Sequence, residues 1–179
     1  MENKSETQTI IMNVEPGAGV ITPYGMARTA NDMFRMADAY PVNDIVSLAK
    51  YYVFCASIEI GMKAAILGVD CTSKNKELIK SLGHDLCKVH DTFRKNYDSP
   101  WGKDDLNAIT AINPYFSKKG LEYCTTDVVV ALLKGFSEVP DIQLIREAAY
   151  KVNAFLHSNE LFLNATTSEV PSRGLITFY

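Results

Sequence analysis

Residues 45–67, IVSLAKYYVFCASIEIGMKAAIL, form a long apolar stretch that decides the fold. Apolar side chains fill nearly every position, and the main polar interruptions are Lys50, Ser57, Glu59 and Lys63. A helix that is apolar on almost all sides has to be surrounded by other elements. The interruptions argue against a bilayer span, which needs about 20 predominantly apolar residues. We therefore predict that this stretch is the core helix of a soluble, all-α helical bundle.

A second apolar stripe has helical steps of four, four, three and four residues: Leu78, Leu82, Leu86, Val89 and Phe93. Gly83 interrupts it, and a single helix through residue 97 would lose ~1 kcal/mol at this glycine. In the alternative arrangement one helix ends at Gly83 and a new helix begins at His84 and Asp85. We favour the break, because an acid in a first helical turn suits the helix dipole.

Helical spacing also predicts the flanking elements. The first helix begins at Pro23 and ends at Pro41, and its polar face with Arg28 and Arg35 is either an ordinary solvated surface or an anion contact. Asn43 or Asp44 can cap the core helix, and Gly68 supplies its stop. Asp104 or Asp105 caps a short helix that Asn113 and Pro114 close.

The rest of the C-terminal half is less regular. Residues 115–123 are predicted to be irregular, and residues 127–136, DVVVALLKGF, fit either a helix or a strand. We favour a helix there. A final amphipathic helix starts at Pro140 or Asp141. We divide the chain into an N-terminal arm (1–22), a helical domain (23–158) and a C-terminal tail (159–179).

Composition limits the classes of function. The chain has 179 residues, 47% of them hydrophobic, with a formal net charge of -3. This charge provides no global basic field, so we do not expect strong DNA binding. The sequence contains no glycine-rich phosphate loop, G-x-S-x-G elbow, H-E-x-x-H motif or internal repeat. The N-terminus shows no signal-peptide pattern, which predicts a cytoplasmic protein without a membrane segment.

Neither disulfides nor metal sites are indicated. The four cysteines have no C-x-x-C spacing, and we expect free thiols: Cys55, Cys71, Cys87 and Cys124. A metal-binding interpretation of His84, Cys87, His90 and Asp91 is weak, because residues 84, 87 and 91 share a helical face while His90 points elsewhere. We predict no metal and no cofactor.

Glu59 and Lys63 are the candidate functional pair of the core helix. Residues four apart lie on one face, and the acid precedes the base in the favourable order. The pair is either an ordinary helical ion pair, stabilising by about 0.3 to 0.5 kcal/mol if exposed, or part of a polar cluster at a dimer or ligand cleft.

Residues 51–67, YYVFCASIEIGMKAAIL, and 82–93, LGHDLCKVHDTF, resemble the core of HEPN-domain proteins. In that family a helix with an acid and a lysine precedes a GHDL helix start. Residues 23–40, PYGMARTANDMFRMADAY, resemble the family's first helix. The resemblance implies an up-and-down bundle of about four main helices that forms a homodimer. It also implies roles around RNA or nucleotidyltransferase partners in bacterial conflict or toxin-antitoxin systems.

The resemblance assigns a candidate binding cleft to Glu59, Lys63, His84 and Asp85 but no catalytic residue. Many HEPN proteins resemble metal-independent ribonucleases in which an arginine precedes a histidine by four to six intervening residues. None of His84, His90 and His157 has an arginine at that distance.

We therefore predict a non-catalytic, dimeric module that binds a protein or a nucleotide or RNA partner. One alternative is a metal-independent ribonuclease that combines His84 with an arginine from elsewhere in the fold, such as Arg28, Arg35 or Arg94. The other alternative is an unrelated helical bundle with a structural role.

Overall fold

The computed structural model describes residues 22–41, 47–69, 73–123, 125 and 139–163, with the side chains of 73–76 excepted. These residues form seven helices and no strand, so the predicted all-α bundle is confirmed. The helices are α1 (Pro23–Ala39), α2 (Leu48–Val69), α3 (Ser73–Leu82), α4 (Leu86–Phe93), α5 (Lys103–Ser117), α6 (Gly120–Tyr123) and α7 (Ile142–Ser158). The ambiguous segment 127–136 lies outside the described residues.

Helix α2 is the centre of the bundle. It packs against α1, α3, α4, α6 and α7, while α7 also contacts α1 and α5, and α4 contacts α5. By length and composition α2 resembles a membrane-crossing helix, with a mean hydropathy of 1.6, but 72% of that window is buried inside the protein. Burial on all sides explains why apolar side chains follow one another without a helical period.

Polar residues cap the N-termini of α1 and α7, the two helices that flank α2. The Thr22 hydroxyl accepts a hydrogen bond from the Gly25 N–H at 3.0 Å at the start of α1, and Pro23 takes the first helical position. Asp141, one of the two predicted starting residues of the final helix, is the N-cap of α7 and accepts a bond from the Gln143 N–H at 2.8 Å. The cap candidates Asn43 and Asp44 lie outside the described residues.

The predicted break at Gly83 is confirmed. Gly83 has a φ of 55°, a left-handed conformation that glycine adopts without steric cost. The new helix starts at Leu86 rather than at His84, because Asp85 is its N-cap and accepts a bond from the Lys88 N–H at 3.1 Å. Leu86 is fully buried in the core.

Two predicted helix ends differ from the structure, by one residue at Gly68 and by three residues at Pro114. Helix α2 continues through Gly68 to Val69. A Cβ atom at Gly68 would lie 2.7 Å from both Leu161 Cδ2 and Phe162 Cζ, so the glycine permits a close contact instead of ending the helix. The segment after α7 thereby places Phe162 in the core.

Helix α5 also runs further than predicted. It passes Pro114 and ends at Ser117, and residues 120–123 form α6, so the irregular segment predicted for 115–123 is largely helical. Ile112 and Phe116, on either side of the proline, are buried, and this burial favours continuing the helix despite the missing N–H. The N-cap is Gly102, whose N–H donates to Asp105 Oδ2 at 2.8 Å.

Helices α1, α2 and α7 approach closely at Gly61. A Cβ atom there would lie 2.8 Å from Val152 Cγ1 and 3.5 Å from the Ala30 Cβ. A polar chain runs beside this contact: the Ser57 hydroxyl donates to the Ala30 carbonyl at 2.8 Å and accepts from Asn153 Nδ2 at 3.1 Å. Small side chains and buried hydrogen bonds therefore fix the three helices together.

Gly61→Val is expected to destabilise the protein by about 3 kcal/mol, because the added carbons overpack this contact. Adding Val152→Ala removes the nearest methyl group, so the double variant should lose less stability than the two single variants together. Urea unfolding of all four proteins measures this coupling. Additive losses would contradict the close α2–α7 contact at Gly61.

Candidate functional site

Three of the four predicted site residues meet in one cluster. Glu59 and Lys63 lie one turn apart on α2, and Lys63 Nζ is 2.5 Å from Glu59 Oε1. His84 lies in the turn between α3 and α4, and its Nδ1 is 3.0 Å from Glu59 Oε2. Each carboxylate oxygen of Glu59 therefore has its own partner, and we refer to these residues as the Glu59–Lys63–His84 cluster.

The Glu59–Lys63 ion pair is buried. The two side chains are 8% and 9% exposed, respectively. Lys63 Nζ also donates a hydrogen bond to the Gly83 carbonyl at 2.6 Å, which connects α2 to the left-handed turn. Buried charges are retained when they are paired and hydrogen-bonded, so this pair is structurally different from an exposed helical ion pair.

His84 is the exposed member of the cluster. Its side chain is 49% exposed, and its ring lies edge-on to Phe116 with centroids 6.0 Å apart. A carboxylate accepts hydrogen bonds, so Glu59 favours the proton on Nδ1 and leaves Nε2 with an unprotonated lone pair in the neutral ring. Among the described residues no arginine contacts His84, and no residue forms a hydrogen bond with its Nε2.

Asp85 has partners other than the cluster. Asn113 Nδ2 donates to Asp85 Oδ1 at 3.1 Å, and Asn113 Oδ1 accepts from the Leu86 N–H at 2.8 Å. Burial by itself raises the pKa of Asp85, but the bonds from Lys88 and Asn113 and the Lys88 charge outweigh it and lower the pKa. Asp85 is therefore an ionised helix cap that holds α4 against α5.

His90 and Cys87 do not assemble with His84. The His90 ring is buried and stacked on Trp101 with centroids 4.7 Å apart, and its Nε2 lies 2.8 Å from Ser99 Oγ. The described part of the chain contains no group of three or more potential metal ligands. Cys55 and Cys87 are free thiols, as expected, and burial raises the pKa of each. Cys71 and Cys124 lie outside the described residues.

A second polar region was not predicted from the sequence as a single site. Arg35 of α1, which the sequence singled out as an anion contact, and His157 of α7 line the same groove. Nothing in the local sequence links them, because the groove depends on how α1 and α7 pack. The polar face of the first helix was the only signal of this region in the sequence.

Comparison with known proteins adds no relative. No family model, no curated protein and no solved structure matches this chain. The HEPN resemblance therefore depends on the quoted residues alone.

Removing one charge of the buried pair should be more damaging than removing both. Lys63→Met leaves the Glu59 carboxylate buried without its ammonium partner and is expected to cost roughly 3 kcal/mol of unfolding free energy. Glu59→Leu combined with Lys63→Met should recover most of this loss. The exposed neighbour variant Lys88→Ala is the control, with an expected effect below about 1 kcal/mol. Urea unfolding that gave equal losses for the single and double variants would contradict the pairing.

Acidification should destabilise the protein through His90. Burial chiefly lowers the pKa of His90, with Asp91 opposing the shift and Arg94 adding to it. The unfolded state then binds a proton at higher pH than the folded state, so stability is complete above about pH 6.5 and falls as the pH decreases towards the folded pKa. His157, whose pKa burial also lowers, acts in the same direction.

The measurement is unfolding free energy at pH 7.5, 6.5 and 5.5, pH values chosen to bracket the unfolded histidine pKa of about 6.5. His90→Phe keeps a ring against Trp101 and should show a shallower decline than the wild-type protein. An unchanged slope would mean that His90 does not contribute to the acid sensitivity.

Proposed function

We propose that this chain is a non-catalytic helical module that dimerises and contacts a protein or nucleotide-bearing partner through the Glu59–Lys63–His84 cluster. The observation that carries the proposal is the position of His84. A buried carboxylate holds one side of its ring at 3.0 Å, while about half of the side chain remains exposed. The fold therefore presents an oriented imidazole at its surface.

The chemistry of the cluster suits hydrogen bonding to a donor. The lone pair on His84 Nε2 accepts a hydrogen bond, and Glu59 fixes the direction of the ring. Lys63 offers little free charge, since its ammonium is buried against Glu59 and the Gly83 carbonyl. The cluster is therefore better suited to a hydroxyl or amide of the partner than to a phosphate group.

The ribonuclease alternative also has a supporting observation, because a carboxylate-oriented imidazole is a common general base. Phosphate chemistry further needs a cation that stabilises the developing negative charge. No arginine is among the described contacts of His84, and Arg146 is engaged by Asp38 at 2.5 Å and Glu147 at 3.0 Å. We therefore favour binding over cleavage.

The test compares the wild-type protein with His84→Gln and with Lys88→Gln, an exposed neighbour that serves as the control. The partner that co-purifies with the tagged protein from its native cells should be retained by Lys88→Gln and lost or reduced with His84→Gln. Light scattering at tens of micromolar should give the mass of a dimer. Labelled single-stranded RNA, incubated in excess chelator, should stay intact with all three proteins.

Each arm has an opposing outcome. A monomer in light scattering would refute the dimer, and equal recovery of the partner by all three proteins would remove His84 from the contact surface. RNA cleavage that persists through purification and disappears in His84→Gln would restore the ribonuclease alternative.

A further inference from the structure

A groove of about 630 Å³ lies between α1 and α7. Six of the residues that line it carry the argument: Asn31, Phe34, Arg35, Tyr150, Asn153 and His157. Its volume lies within the range of about 300 to 1,000 Å³ that is usual for small-molecule sites, which combine apolar walls with a few polar groups. We call it the α1–α7 groove, and it involves none of the cluster residues.

Aromatic rings form one wall of the α1–α7 groove. The rings of Phe34 and Tyr150 have centroids 6.2 Å apart and planes inclined at 47°. Phe34 is anchored in the core by Phe54, with centroids 5.9 Å apart, whereas Tyr150 is 53% exposed. An exposed tyrosine ring beside a concave surface is a suitable stacking partner for a planar ligand.

Arg35 gives the α1–α7 groove a positive charge that no ion pair among the described residues compensates. None of the ion pairs within the described residues involves Arg35, whereas Arg146 is held by Asp38. The described residues that line the groove include no carboxylate. A guanidinium group with free donors binds carboxylate and phosphate groups in a bidentate manner. The groove therefore selects for an anion, although the chain as a whole has a net charge of -3.

Asn153 lines the groove and is held in place by hydrogen bonds to the core. Asn153 Nδ2 donates towards the core, to Ser57 Oγ at 3.1 Å and to the Ala149 carbonyl at 2.9 Å. The other end of the amide, Asn153 Oδ1, is buried and has no hydrogen-bond partner within the described part of the chain. Buried acceptors are nearly always satisfied in folded proteins. Because this oxygen has almost no solvent-accessible surface, a ligand in the groove does not reach it, and the contribution of Asn153 is to hold the wall of the groove against α2.

His157 completes the polar side of the groove. Its Nε2 is 3.4 Å from Asn31 Oδ1, and burial lowers the pKa of the ring. The imidazole is therefore neutral at pH 7, and Arg35 supplies the positive charge of the groove. A ligand in the groove would therefore contact one cation, Arg35, together with an aromatic wall and neutral polar side chains.

We propose that the α1–α7 groove binds a small planar heteroaromatic molecule with one anionic group. The ring stacks on Tyr150, and the anion contacts Arg35. Nucleoside monophosphates and aromatic carboxylates share this chemistry, and the experiment separates them. The site is independent of the proposed partner surface at His84.

The experiment is a titration of the ¹⁵N-labelled full chain with AMP, indole-3-carboxylate, adenosine and inorganic phosphate. Binding of AMP assigns the site to nucleotides, and binding of indole-3-carboxylate assigns it to aromatic acids. The bound ligand should shift the side-chain amide signals of Asn31 and Asn153. Adenosine and phosphate, which each lack one half of the recognised chemistry, should bind at least about tenfold more weakly.

Variants test the assigned roles. Arg35→Gln should weaken the anionic ligand about tenfold or more, and Arg28→Gln is the matched control, since it removes the same charge from α1 outside the groove. Tyr150→Ala should weaken binding roughly tenfold, and Tyr150→Phe should preserve it. Thermal unfolding of each variant checks that it is folded.

Three results would overturn the proposal. One is that neither AMP nor indole-3-carboxylate shifts the groove signals at millimolar concentration. Another is that phosphate alone binds as tightly as AMP, which would exclude ring recognition. The last is an equal loss in Arg28→Gln and Arg35→Gln, which would indicate attraction to the general surface charge. Loss of binding in His84→Gln would contradict the separate claim that the groove is independent of the Glu59–Lys63–His84 cluster.

Discussion

Two opposite charges buried on the central helix constrain much of this structure. Glu59 and Lys63 are nearly enclosed, and desolvation of either charge alone would be strongly unfavourable. Mutual pairing leaves one carboxylate oxygen and part of the ammonium unsatisfied, and the turn between α3 and α4 supplies partners for both. The Gly83 carbonyl accepts from Lys63, and the His84 ring bonds to Glu59. The need to satisfy the buried pair therefore fixes the turn and orients the exposed imidazole.

A different constraint operates on the other side of α2. Close approach of α1 and α7 requires the absence of a side chain at Gly61, and Ser57 and Asn153 join the helices by buried hydrogen bonds. The same Asn153 side chain lines the α1–α7 groove, so the hydrogen bonds that set the helix spacing also fix one wall of the groove. The packing of the helices and the shape of the candidate binding site are therefore linked through the Asn153 side chain.

The sequence was sufficient for features that depend on local patterns. The unbroken apolar character of α2, the break at Gly83 and the start of the final helix at Pro140 or Asp141 were all predicted, as was the pairing of residues four apart. Gly68 and Pro114 were misjudged: α2 ends at Val69, one residue beyond Gly68, and α5 continues to Ser117 with Ile112 and Phe116 buried on either side of the proline. The approach of His84 to Glu59 was only a hypothesis in the sequence, since it depends on a left-handed turn and on tertiary packing. The meeting of Arg35 and His157 could not be predicted, because it depends on the packing of α1 against α7.

The two regions differ in the charge that they present, and this difference argues for separate ligands. The Glu59–Lys63–His84 cluster neutralises its own ions and presents an acceptor, whereas the α1–α7 groove has a guanidinium group with no ion-pair partner in the described chain. Coulombic attraction would draw an anion to Arg35 rather than to the compensated Lys63. A hydroxyl or amide donor finds an oriented acceptor at His84, which requires no charge on the partner. The cluster is therefore suited to a contact with a macromolecule, and the α1–α7 groove is suited to a small anionic ligand.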